Sequence, residues 1–291
     1  MLWIAFFAVF LLLWAVVYAV MPAVRFLAHR LTRMIARSAR LNDLVARHKE
    51  WLPVALIVVA GAALTMWAGD GFLDLAERVR DGAPALRQID TNVHDWAVKH
   101  RSAPDTLFFM VMTTIGAPLG TAVLVGIVSI VLALLHRWRW IVYLVVTYGG
   151  GILLDVELKS YFARARPAMA EALRRAHGYS FPSGHAMGSA VAFGALAYLA
   201  YRTAKSWSGA AAALAFGATF VFAVSLSRVY LGVHWISDVA AGVTAGFIWV
   251  ICTTAAYETV RRIRHLRGLR ASHRPTATPA ASRGPAPSGR S

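Results

Sequence analysis

Apolar residues in this chain gather into seven long blocks, and this grouping limits the possible folds more than any other feature of the sequence. Most blocks have about 18 residues or more, the length needed to cross a bilayer core of ~30 Å. They lie at about 2–24, 51–69, 106–135, 140–157, 185–201, 209–226 and 235–257. The sequence therefore predicts an all-α fold, a polytopic membrane helical bundle with a six-span core plus one extra N-terminal span.

The segments between and around the blocks predict the domain organisation. Residues 1–50 are expected to form an N-terminal anchor span and a basic cytoplasmic linker, and residues 51–260 the six-span core. Within the core, the loop 70–105 has helical periodicity and is expected to form amphipathic helices on the external membrane surface. Gly116-Ala117-Pro118 interrupts the third block, which predicts a short first segment followed by a spanning helix. Residues 261–291 are expected to form a basic, Pro/Ala/Ser-rich, disordered cytoplasmic tail.

The net charge of +16 does not indicate nucleic-acid binding, because the basic residues are segregated by loop. The segment 25–50 and the tail, which has eight arginines and no acid, show the pattern of cytoplasmic flanks. Anionic membrane lipids are a sufficient partner for this charge, so no nucleic acid is expected. The Ala/Arg/Val-rich composition suggests a bacterial inner membrane. The single cysteine, Cys252, excludes an intrachain disulfide.

One basic loop breaks the charge pattern. The segment 158–184 falls outside the membrane in this topology, yet it contains Lys159, Arg164, Arg166, Arg174 and Arg175. These cations therefore need an explanation other than topology. In KSYFARARP, Lys159 and Arg166 are seven residues apart, which on a helix is two turns on one face. Interfacial anchoring, or pairing of Lys159 with Asp155, would explain the same residues.

A second polar cluster, YSFPSGHA, opens the fifth block. Ser183 suits an N-cap position, and Gly184 allows a ligand to approach the backbone closely. The unpaired amides of a helix N-terminus bind anions, and His185 can donate or accept a proton near neutral pH. An ordinary cap with an interfacial histidine is the alternative interpretation.

The third cluster is SRVYLGVHWISD. His234 and Asp238 are four residues apart, so on a helix the carboxylate could fix the imidazole tautomer and leave the other nitrogen nucleophilic. Arg228 precedes the pair at the outer end of the previous span, and a structural His–Asp cap is the alternative. All three clusters fall on one side of the membrane. Together they predict a phosphate site with its own nucleophile and acid, for which no metal and no cofactor are expected.

The three motifs also resemble a known signature. K-x6-RP at 159–167, PSGH at 182–185 and SR-x5-H-x3-D at 227–238 are similar to the motifs of the type 2 phosphatidic acid phosphatase and vanadium haloperoxidase superfamily, in its membrane lipid phosphatase branch. The resemblance covers roughly residues 85–257. It implies a phosphohydrolase that removes phosphate from a lipid phosphate or polyprenyl diphosphate through a phosphohistidine. Undecaprenyl diphosphate, phosphatidylglycerol phosphate, phosphatidic acid and lipid A phosphates would all fit, at a site facing the periplasm or exterior.

The resemblance implies a role for each motif residue. His234 would attack phosphorus, Asp238 would orient it, and His185 would protonate the leaving oxygen and later activate water. The groups expected to hold the phosphate oxygens are Lys159, Arg166, Ser183, the Gly184 amide and Arg228. The short lip above the site is expected to hold Arg174, Arg175 and His177, for a second phosphate or for headgroup contact.

Three other functions are possible for these motifs. A lipid phosphotransferase would use the same phosphohistidine and pass the group to an acceptor other than water. A vanadate-dependent haloperoxidase is disfavoured by the seven apolar spans, because those enzymes are typically soluble. A non-catalytic membrane protein is disfavoured by the complete set of nucleophile, acid and orienting carboxylate. The sequence makes no prediction of the oligomeric state.

Overall fold

Helices make up almost all of the chain that a computed structural model describes, namely residues 2–37, 43, 51–167, 172–174 and 177–272. No strand occurs within these ranges, so the predicted all-α class is confirmed. In chain order the main helices are α1 (Leu2–Arg37), α2 (Leu52–Arg80), α3 (Pro84–Lys99), α4 (Ala103–Ile115), α5 (Pro118–Leu134), α6 (Trp138–Phe162), α7 (Gly184–Thr203), α8 (Trp207–Tyr230) and α9 (Ile236–Ser272).

Five of these helices contain stretches long and apolar enough to cross a bilayer, and α4 with α5 would make a sixth as one bent span. The five stretches are Leu2–Val20, Leu52–Arg80, Trp138–Phe162, Trp207–Tyr230 and Ile236–Arg267. The 55° bend between α4 and α5 falls at the interruption predicted from Gly116-Ala117-Pro118. The remaining predicted span is α7, whose 20 residues would reach ~30 Å. It is less apolar than the other six because it carries His185 and many small residues.

Helix α7 lies in the middle of the bundle and packs against α6, α8 and α9. Small residues allow this close packing. A Cβ on Gly217 of α8 would lie 2.8 Å from the Cβ of Ala197, and one on Gly246 of α9 would lie 2.8 Å from the carbonyl oxygen of Met187. One turn earlier, a Cβ on Gly242 would lie 2.6 Å from the carbonyl oxygen of Ser183. The backbones of α7 and α9 therefore touch along the seam that leads to the motifs.

Several helices extend beyond their predicted bounds. Helix α1 continues to Arg37, α2 to Arg80 and α9 to Ser272, because hydropathy marks only the membrane part of a helix and not its polar continuation. Residues 70–80, which were predicted as part of a surface loop, are instead the last turns of α2. Residues 38–42 and 44–50 of the predicted linker, and 273–291 of the predicted tail, lie outside the described residues.

Helix α3 is the amphipathic helix expected in the external loop, and it packs against α8 and α9. Two of the apolar residues that give this helix its periodicity are exposed, Ile89 at 53% and Trp96 at 62%, whereas Val93 packs against the core. The neighbouring face buries Asp90 and His94 together with Ala97, so the buried side of this helix is partly polar. Asp90 and His94 of α3 therefore lie next to the start of α9.

The extra N-terminal helix packs on the core through aromatic side chains. Phe6 of α1 meets Phe220 of α8 edge to face, with ring centroids 5.4 Å apart. Two indole N–H groups join the helices at the other end, because Trp14 donates to the Ser208 carbonyl and Trp207 to the Tyr18 carbonyl, each at 3.2 Å. Helix α1 is thus fixed against α8 along much of its length.

Candidate active site

The three motifs meet at one end of the bundle, where α6 and α8 end and α7 and α9 begin. Lys159 lies in the last turn of α6, and its ammonium pairs with the Asp155 carboxylate one turn earlier. Both side chains are about one-fifth exposed. The Lys159–Asp155 pair considered from the sequence is therefore present. The same ammonium also lies beside Gly184 at the start of α7.

Arg166 does not share a helix face with Lys159, so that sequence interpretation is wrong. Helix α6 ends at Phe162, four residues earlier than Arg166, and Ala163 takes a left-handed conformation with φ 45°. Arg166 instead lies in the segment beyond the helix. Its Nε and Nη2 donate to the carbonyls of residues 177–179 at 3.0 Å, and its Nη1 reaches the Val233 carbonyl at 2.9 Å and His234 Nε2 at 3.0 Å.

The start of α7 presents unpaired donors as expected, although Ser183 does not cap the helix with its side chain. Ser183 occupies the N-cap position and is fully buried, and its hydroxyl has no hydrogen-bond partner among the described residues. The Ser183 amide donates to the Asp238 carbonyl at 2.9 Å, which joins the N-terminal ends of α7 and α9. His185, in the first turn, is partly buried and lies within the electrostatic influence of Arg228, His234 and Lys159.

Arg228 closes the site from α8. It is only 3% exposed, and its Nη1 donates to the Thr113 hydroxyl of α4. Its Nε is buried without a hydrogen-bond partner in the described part of the chain. No carboxylate of the described residues forms an ion pair with it. A buried cation without a counter-ion is costly, so this position favours binding of an anion.

His234 lies in the turn before α9 and not on the helix, which corrects the expected geometry, but the contact with Asp238 is still made. His234 Nδ1 lies 3.4 Å from Asp238 Oδ2, which also accepts the Trp235 amide at 3.0 Å. Because the Arg166 guanidinium can only donate, His234 Nε2 is the acceptor and the ring proton is on Nδ1, facing Asp238. Burial lowers the pKa of His234 to about 4, against the opposing effect of Asp238. The ring is therefore neutral, and the lone pair of Nε2 accepts the hydrogen bond from Arg166.

No role was predicted from the sequence for three polar residues that lie beside this pair, namely Asp90, Arg164 and Ser237. Arg164 donates to Asp238 Oδ1 at 2.6 Å and pairs with Asp90 of α3 at 2.8 Å. Ser237 donates to the same Asp90 carboxylate at 2.7 Å. Two features of the sequence could have indicated them. Asp90 and His94 are four residues apart and so share a helix face, and Arg164 lies in the basic loop that breaks the predicted charge pattern. Of the predicted lip residues, Arg175 lies outside the described residues, and the His177 carbonyl supports Arg166.

The site combines three cations, a helix N-terminus, a neutral histidine aligned by a carboxylate and a second histidine. Such a set can neutralise a phosphate and supply a nucleophile and an acid. Among the described residues no group of three His, Cys, Asp or Glu side chains is placed to hold a metal ion. The fold is that of a multi-pass helical membrane protein, with cationic and titratable side chains gathered at one end of its bundle.

Comparison with known proteins identifies the type of bundle. Residues 140–262, which contain all three motifs, match the model of the PAP2 superfamily. Over 128 residues, 44% of this chain, the protein is 30% identical to phosphatidylglycerophosphatase B of Bacillus subtilis (strain 168). The aligned region spans 62% of that relative's length.

A solved structure agrees with the sequence match. The crystal structure of the first transmembrane PAP2 type phosphatidylglycerolphosphate phosphatase from Bacillus subtilis superposes with a TM-score of 0.64 at 26% identity. The alignment covers 69% of this chain and 98% of that chain. Both comparisons agree with the predicted resemblance to the PAP2 superfamily and to its membrane phosphatases.

Proposed function

We propose that this protein hydrolyses a lipid phosphate or lipid diphosphate through a phosphohistidine formed on His234. The observation that carries the proposal is the alignment of His234 between two partners. Its Nδ1 faces Asp238 at 3.4 Å, and its Nε2 lies 3.0 Å from Arg166. The imidazole is neutral and backed by a carboxylate, and its Nε2 would become free to attack when a bound phosphate draws the Arg166 N–H away from it.

The proposed reaction has two steps. His234 Nε2 attacks phosphorus while the bond to the lipid oxygen breaks, and His185 gives a proton to that oxygen. Water then loses a proton to His185 and attacks the phosphohistidine, which releases inorganic phosphate and restores both histidines. Arg228 and Lys159, with the Ser183 hydroxyl and the Gly184 amide, would hold the three remaining phosphate oxygens. Arg166 would join them by transferring the N–H that it gives to His234 to the phosphate, because its other four N–H groups are held by carbonyls.

The buried donors around the site support this assignment of the phosphate. Arg228 Nε and the Ser183 hydroxyl have no partner among the described groups. Lys159 is held by Asp155 and would share its ammonium with the substrate. A phosphate placed against the start of α7 would accept hydrogen bonds from all three residues. This arrangement accounts for buried polar groups that would otherwise be unfavourable.

Phosphatidylglycerol phosphate is the first substrate to test, because the matching relative is named a phosphatidylglycerophosphatase. Phosphatidic acid, undecaprenyl diphosphate and lipid A phosphates present the same terminal phosphate. The decisive measurement is phosphate release from this panel by purified protein in detergent, with His234→Ala as the control. Phosphate release that depends on His234 is expected. Release that survives His234→Ala at the wild-type rate would exclude the nucleophile. No phosphate release, with the phosphate instead recovered on an added acceptor lipid, would indicate a phosphotransferase.

We also propose that the site faces the periplasm or exterior of a bacterial inner membrane. In this orientation the basic segment 25–50 and the Arg-rich tail lie in the cytoplasm, as the positive-inside rule predicts. The N-terminal span then acts as an anchor, and residues 51–260 as the catalytic core. A topology reporter fused after residue 176 should give an external signal. A cytoplasmic signal would reverse the orientation without affecting the reaction.

A further inference from the structure

A buried chain of charged groups joins the external helix α3 to the His234–Asp238 pair. Asp90 of α3 is 2% exposed and pairs with Nη2 of Arg164 at 2.8 Å. Nη1 of the same guanidinium donates to Asp238 Oδ1 at 2.6 Å. Ser237 joins the group, because its hydroxyl donates to Asp90 at 2.7 Å and accepts from Arg164 at 2.8 Å. Neither Asp90 nor Ser237 belongs to the residues assigned to phosphate or proton transfer.

The two oxygens of Asp238 have different partners. Oδ1 is held by Arg164, and Oδ2 faces His234 Nδ1 and the Trp235 amide. The Ser180 hydroxyl also donates to Oδ1, but at 3.5 Å, so Arg164 at 2.6 Å provides the main restraint against rotation of this fully buried carboxylate. Arg164 in turn has its two terminal nitrogens fixed, one on Asp238 and the other on Asp90. Asp90 therefore determines where the guanidinium can lie.

The charges of Asp90, Arg164 and Asp238 also favour the proposed chemistry. Asp90 and Asp238 carry two negative charges, and Arg164 carries one positive charge, which leaves one negative charge beside His234. The attack on phosphorus makes the imidazole cationic, so this remaining charge stabilises the phosphohistidine. Removing the charge of Asp90 would leave Asp238 fully neutralised by Arg164.

We propose that Asp90 is a positioning residue that acts through Arg164 to hold Asp238 in the orientation that serves His234. The inference rests on the proposed function, because it gives Asp90 a part in the same phosphohistidine reaction. Asp90 also accepts the Ser237 amide at 3.0 Å and so anchors the start of α9. A test must therefore separate positioning of Asp238 from simple support of the helix.

The first measurement compares Asp90→Asn with Asp95→Asn in the full-length protein in detergent, using phosphate release from phosphatidic acid. Asp95 lies on the same helix with its side chain exposed, so it is the matched control. Asp90→Asn should lower kcat by about 10- to 100-fold, as expected when a buried charge-assisted hydrogen bond is weakened. KM should change little, because Asp90 does not face the phosphate. Asp95→Asn should behave as the wild type, and a wild-type kcat in folded Asp90→Asn would overturn the proposal.

The second measurement is a double-mutant cycle with Asp238→Asn. If Asp90 acts through Asp238, the variant lacking both carboxylates should be no slower than Asp238→Asn alone. If the two losses multiply, Asp90 acts independently of Asp238 and the proposal fails. Residues that merely support the fold would give such independent losses.

Ser237→Ala keeps the proposal testable if Asp90→Asn does not fold. This change removes one hydrogen bond from Asp90 and one from Arg164 but leaves their ion pair in place. It should lower kcat by a few-fold, about the effect of one neutral hydrogen bond, and this loss should also vanish in the Asp238→Asn background. A loss of the same size in both backgrounds, or no loss in either, would contradict the proposal. If the wild type is active and depends on His234 while these variants are unaffected, only this inference fails and the proposed function stands.

Discussion

Gly184 and Lys159 face each other so closely that a Cβ on the glycine would lie 2.5 Å from the Lys159 ammonium. The same atom would lie 2.7 Å from the Asp155 carboxylate. The first residue of α7 thus touches the ion pair at the end of α6. The ammonium and the amides of the α7 N-terminus can reach one phosphate only because no side chain stands between them.

Gly184→Ala should therefore damage the site without disrupting the bundle. The added methyl displaces Lys159, and a shift of about 1 Å in a catalytic group can lower the rate about 100-fold. Gly188→Ala is the matched control, because a Cβ at Gly188 meets nothing within 4 Å. Phosphate-release assays on both folded variants measure the difference. Equal activity of Gly184→Ala and Gly188→Ala would show that the close approach is not required.

Asp238→Asn should slow phosphate release severely but not abolish it. An amide can present its N–H group to His234 Nδ1, and this would favour the tautomer in which Nε2 carries the proton and cannot attack. The expected loss is about 1,000-fold or more, by analogy with other histidines aligned by a carboxylate. Steady-state kinetics with a lipid phosphate measure it. A loss smaller than tenfold would mean that Asp238 does not control the tautomer.

Orthovanadate, which resembles phosphate in charge and shape, should stabilise the folded protein by binding at the site. At a concentration of 100 Kd the unfolding temperature should rise by about 5–10 °C. Arg228→Gln should lose most of this shift, because it removes the buried guanidinium whose Nε has no partner within the described residues. Arg78→Gln is a suitable control, since Arg78 is 60% exposed and pairs with Asp74. A full shift in Arg228→Gln would place the anion elsewhere.

His234 should remain neutral throughout the physiological pH range. Burial disfavours its charged form and lowers its pKa from 6.5 to about 4, so the ring takes up a proton only when the pH falls well below 6. Asp238 raises the pKa, so Asp238→Asn should lower it further. Nuclear magnetic resonance titration of labelled histidines would measure this, with the His234→Gln spectrum to assign the signal. Titration near pH 6.5 would contradict the buried neutral ring.

Chelation of divalent metals should leave the activity unchanged. Lys159, Arg166 and Arg228, with the α7 N-terminus, supply the positive charge that a phosphate requires. Phosphate release should therefore proceed at the same rate with EDTA present. Loss of activity in EDTA that is restored by added Mg²⁺ would overturn the metal-free mechanism.

The sequence predicts that the three motifs come together, because each motif lies at the end of a helix. The PSGH turn starts α7, Arg228 lies near the end of α8, and Asp238 lies in the first turn of α9. The hydropathy pattern predicts that those helix ends lie on the same side of the membrane, where the motifs can meet. The local geometry was harder to predict, since the helical spacing assumed for Lys159 and Arg166 fails where α6 ends at Phe162. His234 likewise lies outside the helix that was expected to contain it.

The role of α3 could not be predicted from the sequence. Asp90 and Arg164 are 74 residues apart, and no local pattern connects them. Amphipathic periodicity shows that a helix has two faces, but it does not show which polar residue the folded protein will bury. Only tertiary packing places Asp90 against the start of α9, where it meets Ser237.

The contact between α7 and α9 controls the spacing of the two histidines at the site. Gly242 and Gly246 are one helical turn apart, and their missing side chains let α9 rest directly on the α7 backbone. Because His185 lies on α7 and His234 just before α9, the separation of these two histidines depends on how closely the helices pack at Gly242 and Gly246. The spacing of the two histidines therefore depends on a contact between helices in which the substrate takes no part. A methyl group added at Gly242 or Gly246 would push α9 away from α7 and widen the gap between the histidines.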